Sequence, residues 1–178
     1  QSELSRNFFR FCGEVIQPEG YFLHKYTPSG QLASSWHPWM LEGQRILPIQ
    51  QDETALVVWA LRKHFSTFRD VEFIKPLYSS LVARPAEWML SYRDHHGLPL
   101  PSWDLWEERR GVHTFTVAAT IGGLYAAAAF AHDFGEPDRA VAFHTVVDPD
   151  GTRRIVIDTP IDVAVRAPAP AVAILHPA

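Results

Sequence analysis

Residues 114–134, TFTVAATIGGLYAAAAFAHDF, form the longest apolar stretch of the chain, and their reading decides the fold. The unbroken apolar part, about 117–131, falls short of the roughly 18–20 residues that a bilayer span requires. No basic anchors flank it, so a buried helix is expected and no membrane partner. Gly135 supplies the C′ residue that ends such a helix. The alanine-dense run Ala126 to Ala129 offers little side-chain bulk, which suggests a close helix–helix approach. A helix that is apolar all round must be wrapped by other helices.

Those helices can be found on both sides. Leu4, Phe8, Phe11, Cys12 and Val15 recur at helical period, predicting a first helix over about 2–16 that Pro18 and Gly20 terminate. Asp52 suits the N-cap of a second helix reaching about residue 65, burying Leu56 and Trp59. Asp70 caps a third, with Phe73, Ile74, Leu77 and Leu81 on one side; Pro85 kinks or restarts it before it ends near Tyr92. Between them, 21–48 and 95–103 read as loops rich in proline, glycine and aromatic residues. A loop as long as the first is usually functional or disordered, and Tyr21, Tyr26, Trp36 and Trp39 argue against disorder. Beyond Pro137 the pattern changes. Asp148-Pro149-Asp150-Gly151 between β-branched runs predicts a hairpin over about 146–158, followed by an Ala/Val/Pro-rich end without a clear period. Mostly α architecture with paired helices is the expected fold class.

Composition narrows the function classes. The 178 residues include 47% hydrophobic and 20% charged residues, ordinary for a soluble globular chain. A formal charge of −4 and the lack of a basic run argue against a nucleic-acid partner. The single cysteine, Cys12, allows no internal disulfide and no CxxC site. The amino terminus has no basic region followed by an apolar one, so a reducing cytoplasm is the default location, with secretion after signal removal kept open. Nine histidines invite a metal, but none is spaced as His-x-x-x-His or His-Glu-x-x-His, so neither metal nor other cofactor is expected. Six tryptophans, five tyrosines and eleven phenylalanines would suit a sugar site, since flat rings stack on pyranose faces; they would equally fill a core.

The densest chemistry lies in 101–111, PSWDLWEERRG, where three carboxylates and two indoles precede the long helix. Glycoside hydrolysis needs one carboxylic acid to protonate the leaving oxygen and a second carboxylate to serve water or the sugar. Trp106 beside Glu107 could desolvate that carboxyl and keep it protonated near neutrality. A solvated acidic turn paired with Arg109 and Arg110 is the plain alternative. Glu107 and Glu108 cannot be acid and base together, because adjacent side chains diverge. One of them fits the acid, and the other fits hydrogen bonding to sugar hydroxyls.

Five segments carry a more specific likeness: 20–26 (GYFLHKY), 34–39 (SSWHPW), 47–56 (LPIQQDETAL), 98–108 (LPLPSWDLWEE) and 111–116 (GVHTFT). In this order they resemble bacterial and archaeal members of glycoside hydrolase family 15, over roughly 1–140. The resemblance implies part of an (α/α)6 barrel whose site lies where the connecting loops gather, with 141–178 a divergent tail. It implies hydrolysis of α-glucosidic bonds in α-linked glucose oligosaccharides or polysaccharides, from the non-reducing end and with inversion, as part of a larger enzyme. It puts the general acid at Glu107, with Glu108 and Asp104 shaping sugar subsites and Trp106 packed by the acid. Trp36, His37 and Asp52 join them as candidate substrate-binding residues, Asp52 without a catalytic role. His24 and His37 could donate to sugar hydroxyls or be ordinary loop residues.

The likeness also has gaps. A family Arg-Asp block that binds the first glucose has no counterpart before Gln1, and no later glutamate matches the general base. A fragment or internally deleted relative is therefore expected, with exposed apolar helix faces inviting self-association. A non-catalytic glucan-binding remnant, or a relative acting on trehalose or on isomaltose- or dextran-type linkages, are the competing expectations.

Overall fold

The computed structural model describes residues 2–35, 39–147 and 154–156. Trp36 and His37 lie outside the described residues, as do the Asp148–Gly151 turn and the Ala/Pro-rich end. Helix α1 spans Ser2–Val15, α2 Gln51–Phe68, α3 Val71–Ile74, α4 Arg84–Ser91, α5 Thr114–Asp133 and α6 Pro137–His144. Three two-stranded antiparallel ladders join them: β1 (Met40–Leu41) with β2 (Gln44–Arg45), β3 (Ser102–Trp103) with β4 (Arg110–Gly111), and β5 (Thr145–Val147) with β6 (Arg154–Val156). The last pair is the expected hairpin, in the register Val146 opposite Ile155. Helix α6 was not anticipated. It buries Phe143.

The buried stripe of α1 differs from the one expected. Phe9, Cys12 and Val15 face inward, while Leu4 and Phe8 are 78% and 49% exposed. Consecutive phenylalanines fit the helical period in two phases about 100° apart. The neighbours choose between them, and Phe9 meets the His64 ring at 5.5 Å. Burial pushes the Cys12 thiol up to about 12, so it behaves as a small apolar side chain. On α2 the correction is similar: Ala55, Val58, Leu61 and Phe65 are buried, Leu56 is exposed and Trp59 only half-buried. Nor does Asp52 cap this helix. Gln50 occupies that position without a side-chain cap bond, and Asp52 lies in the first turn facing inward.

Asp70 does cap α3, accepting from the Phe73 N–H at 3.1 Å, and it also pairs with Arg6. From there the chain stays helical to Ser91 by changing register: a 3₁₀ turn at Lys75–Leu77, then a π turn at Ser79–Ala83 closed by Arg84 N–H to Ser79 O. Pro85 removes one donor from the ladder, and the wider turn before it absorbs the loss.

Contacts along the helices define two layers. Asp52 meets Thr116, Ala55 meets Gly123 and Arg62 meets Asp133, so α2 and α5 run parallel. Arg6 meets Asp70 and Gly20 meets Arg84; Tyr78 meets Glu136 and Glu87 meets Arg139. Hence α1, the α3–α4 run and α6 are parallel to one another and antiparallel to the inner pair. This alternation of inner and outer helices is consistent with part of an α/α toroid. The inner contact is tight. A Cβ on Gly123 would lie 2.9 Å from both Cα and O of Ala55, closer than real atoms approach. Helix α5 is long and apolar enough to span a bilayer by length and composition, yet 67% of that window is buried in the fold. It ends in a Schellman turn, with Glu136 N–H on Ala131 O at 2.8 Å, Gly135 N–H on His132 O at 3.2 Å and Gly135 at φ +80°.

The two layers also place the loops. The N-termini of α2 and α5 point the same way, so residues 17–35, 39–50 and 92–113 collect at one end.

Candidate active site

At that end, β3 and β4 form a hairpin whose turn carries the acidic run. Asp104 organises it. Its carbonyl accepts the Glu107 N–H at 2.9 Å, its Oδ1 accepts the Glu108 N–H at 2.9 Å, and its N–H donates to Arg109 O at 2.9 Å. Backbone N–H groups, first that of Glu108, hold the Asp104 carboxyl below its ordinary range. Glu107 closes the turn at φ 56°, a left-handed conformation costing a non-glycine residue roughly 1 kcal/mol. That conformation turns Glu107 inward and Glu108 outward. Glu107 is 5% exposed, whereas Glu108 is exposed, as the divergence of neighbouring side chains predicts.

The partner of Glu107 comes from the first long loop. His24 Nε2 lies 2.7 Å from Glu107 Oε1. On its other side, His24 Nδ1 lies 2.6 Å from Gln50 Oε1 and 3.0 Å from Glu53 Oε1. The His24 N–H donates to Pro48 O at 2.7 Å, which ties the loop to the entry of α2. Gln50 reaches across to the acid hairpin, its Nε2 donating to Asp104 O at 2.8 Å and Trp103 O at 3.3 Å. Gln51 Nε2 adds a bond to Leu100 O at 2.8 Å. The first turn of α2 therefore clamps both loops. Burial pushes the Glu53 carboxyl up to about 7, against the opposing pull of His24. The hydrogen bond to Glu53 raises His24 above its usual value, with burial opposing. Asp52, buried and accepting from Thr116 Oγ1 at 3.2 Å, is raised by desolvation.

Two shallow grooves open around this cluster. One, of about 470 Å³, is lined by His24, Ser34, Ser35, Trp39, Arg45 and Pro48 among others. The second, of about 460 Å³, includes Tyr21, Trp39, Trp88, Tyr92, Trp103 and Arg110. Trp39 borders both. Its ring lies 5.4 Å from that of His24 and edge-on to Trp103 at 6.3 Å. Among the described residues, no group of three His, Cys, Asp or Glu side chains is arranged to hold a metal ion.

Residues 42–149 match the sequence pattern of glycosyl hydrolases family 15, a span that holds the acid hairpin, the Gln50–Glu53 turn and both inner helices. The chain belongs to that family. It is also similar to a protein described as an uncharacterized glycosyl hydrolase from Methanocaldococcus jannaschii, with 27% identity over 117 residues. That alignment covers 66% of this chain and 16% of the relative, so the chain spans about a sixth of the relative's length. No solved structure matches the chain.

Within this family 15 chain, the candidate residues separate by environment. Glu107 sits in the cluster. Asp52 is in the interior between α2 and α5, and Asp104 is occupied with holding its own turn. Glu108 is exposed on the hairpin. Trp106 is 82% exposed, which corrects the expectation that its indole covers the acid. A left-handed residue sends the chain in a new direction, so the side chains of Trp106 and Glu107 part company there. The desolvation of Glu107 comes instead from the loop bearing His24. Sequence reasoning gave Glu53 and Gln50 no role. The signal was present, because the Gln-Gln-Asp-Glu run falls at a helix N-terminus, where side chains face the loops.

Proposed function

We propose that this chain carries the general-acid side of the site of an inverting α-glucoside hydrolase, acting from the non-reducing end of α-linked glucose chains as glucoamylases do. The two helix layers would be an arc of an (α/α)6 ring. Glu107 would protonate the departing glycosidic oxygen, and a carboxylate outside the motifs recognised here would activate water. Trp106 and Glu108, exposed on the hairpin, would contact the sugar. The observation that carries this reading is the buried Glu107 carboxyl, held 2.7 Å from an imidazole at the end where the loops collect. It is tested by sugar release from maltooligosaccharides with the full-length protein. Glu107→Gln should lower kcat by about 10²–10⁴-fold, and the released glucose should be the β anomer. Undiminished turnover in the variant removes Glu107 from the chemistry. Parallel assays on trehalose, isomaltose and dextran decide the linkage.

One observation favours a second reading, a glucan-binding module without turnover. Glu107 is not among the side chains lining either groove; His24 stands between it and the first. Calorimetric binding of maltose-series sugars without any product would support that reading.

A further inference from the structure

We propose that His24 is the positioning residue of this site, with Gln50 locking its ring in the tautomer that carries hydrogen on Nδ1, so that Nε2 and Glu107 Oε1 share a single proton. The inference rests on the assignment of Glu107 above and goes beyond it in naming what controls that carboxyl.

The argument starts with the Gln50 amide. Its nitrogen end faces two carbonyl oxygens, Asp104 O at 2.8 Å and Trp103 O at 3.3 Å, and carbonyls only accept. Its oxygen must then be the atom 2.6 Å from His24 Nδ1. An amide oxygen cannot donate, so Nδ1 bears the hydrogen. Glu53 Oε1, 3.0 Å from the same nitrogen, accepts in its ionised form without changing this result, since Gln50 alone enforces it. With Nδ1–H fixed, the neutral ring presents a lone pair at Nε2, which accepts from a protonated Glu107 at 2.7 Å. The charged ring presents Nε2–H, which donates to the Glu107 carboxylate along the same line. Moving the proton breaks N–H and forms O–H, or the reverse, and needs no rearrangement of heavy atoms. The carboxyl is thus held in one place whichever partner has the proton.

Among the described residues, the charged groups facing His24 come from two sides. Glu53 comes from α2 and Glu107 from the acid hairpin, with Asp52 interacting at longer range. Both nearest neighbours are carboxyls, and they raise the ring above its usual value. His24 and Glu53 titrate as a coupled pair.

Ring ¹⁵N NMR of the protein, titrated over about pH 5–9 and assigned with His24→Gln, tests this directly. The expected result is a His24 ring protonated at Nδ1 throughout, with Nε2 alone carrying the titration. Glu107→Gln should lower the His24 midpoint by about half to one unit, because it removes a negative neighbour. A neutral ring protonated at Nε2, or a midpoint that Glu107→Gln leaves in place, overturns the proposal. In steady-state kinetics on maltooligosaccharides, His24→Gln should lower kcat by about 10–100-fold with KM little changed. It should also move the alkaline limb of kcat downward, since an imidazole–carboxylate pair holds its single proton to higher pH than a carboxyl beside a neutral amide. An unmoved limb refutes the proton-sharing role. If no α-glucoside is hydrolysed at all, the functional assignment fails, and the NMR result still decides the tautomer.

Discussion

Replacing Glu53 by Gln should flatten the pH dependence of stability between about pH 5 and pH 8. In the folded protein the Glu53 carboxyl titrates at about 7, against 4.5 as its reference value. A carboxyl near the N-terminus of a helix ordinarily favours ionisation, and His24 pulls the same way; burial outweighs both. The sign follows from proton counting. Folded Glu53 holds its proton more tightly than unfolded Glu53, so the stabilisation is full below about pH 4.5 and is lost as pH rises through about 7. One extra proton over that interval amounts to at most about 3 kcal/mol. The Glu53 side chain keeps 28% of its exposure and is coupled to His24, so about 1–2 kcal/mol is the expected loss. Asp52 and His24 are also raised, and they add to the fall with the same sign. Asp133 and Glu136 are lowered; their contributions are complete once pH exceeds their unfolded values, and they shape only the acid side. Burial lowers His64 from 6.5, so its contribution rises with pH within the window and partly offsets the fall. Urea unfolding at half-unit intervals of pH measures the curve. Wild type should weaken steadily across the window. Glu53→Gln keeps an acceptor for His24 without a buried charge, so it should show a flatter profile and exceed wild type near pH 8. A wild-type curve that rises over the same interval, or a variant that parallels it, would refute the reasoning.

Two further perturbations separate packing from recognition. Gly123→Ala should destabilise by up to about 2 kcal/mol in urea, because overpacking against the Ala55 backbone costs about 1–3 kcal/mol and the helix-propensity gain returns about 1; Ala129→Gly, half-buried on the same helix, should cost about 1 kcal/mol and serves as the control. Trp106→Ala should leave unfolding within about 0.5 kcal/mol of wild type, given its exposure, and raise KM for maltooligosaccharides several-fold; unchanged KM would remove Trp106 from the sugar site.

The sequence exposed the helices better than their faces. The span of α5, the Asp70 cap and the Gly135 terminus follow from local chemistry alone, whereas the close approach expected along the alanine run is also made at Gly123, against Ala55. Which phenylalanine of α1 faces inward did not follow, because Phe8 and Phe9 both satisfy the helical period and only His64 chooses between them. The acid turn was legible as a carboxylate cluster, yet its β3–β4 frame was not, since two-residue strands leave no alternating pattern. Trp106 misled for a related reason. Adjacency in sequence suggested adjacency of side chains, and the left-handed backbone at Glu107 separated them. Residues 24 and 107 are far apart in the chain, so their pairing depends on the Gln50 clamp and cannot be read from either segment alone.

Geometry at the loop end is governed from beneath by the spacing of the inner helices. Ala55 touches Gly123 only two residues beyond Glu53, and Asp52 is fixed to Thr116 in the first turn of α5. The same turn of α2 supplies Gln50, which holds His24 with one end of its amide and the acid hairpin with the other. Any side chain that forces α2 from α5 must therefore shift the clamp, and with it the 2.7 Å contact to Glu107. The exposed hairpin positions Leu105, Trp106 and Glu108 bear on none of these bonds through their side chains. Under the proposed assignment, substitutions on the hairpin surface would alter sugar contacts while the carboxyl stays where it is. Substitutions at Ala55 or Gly123, remote from any sugar, displace it.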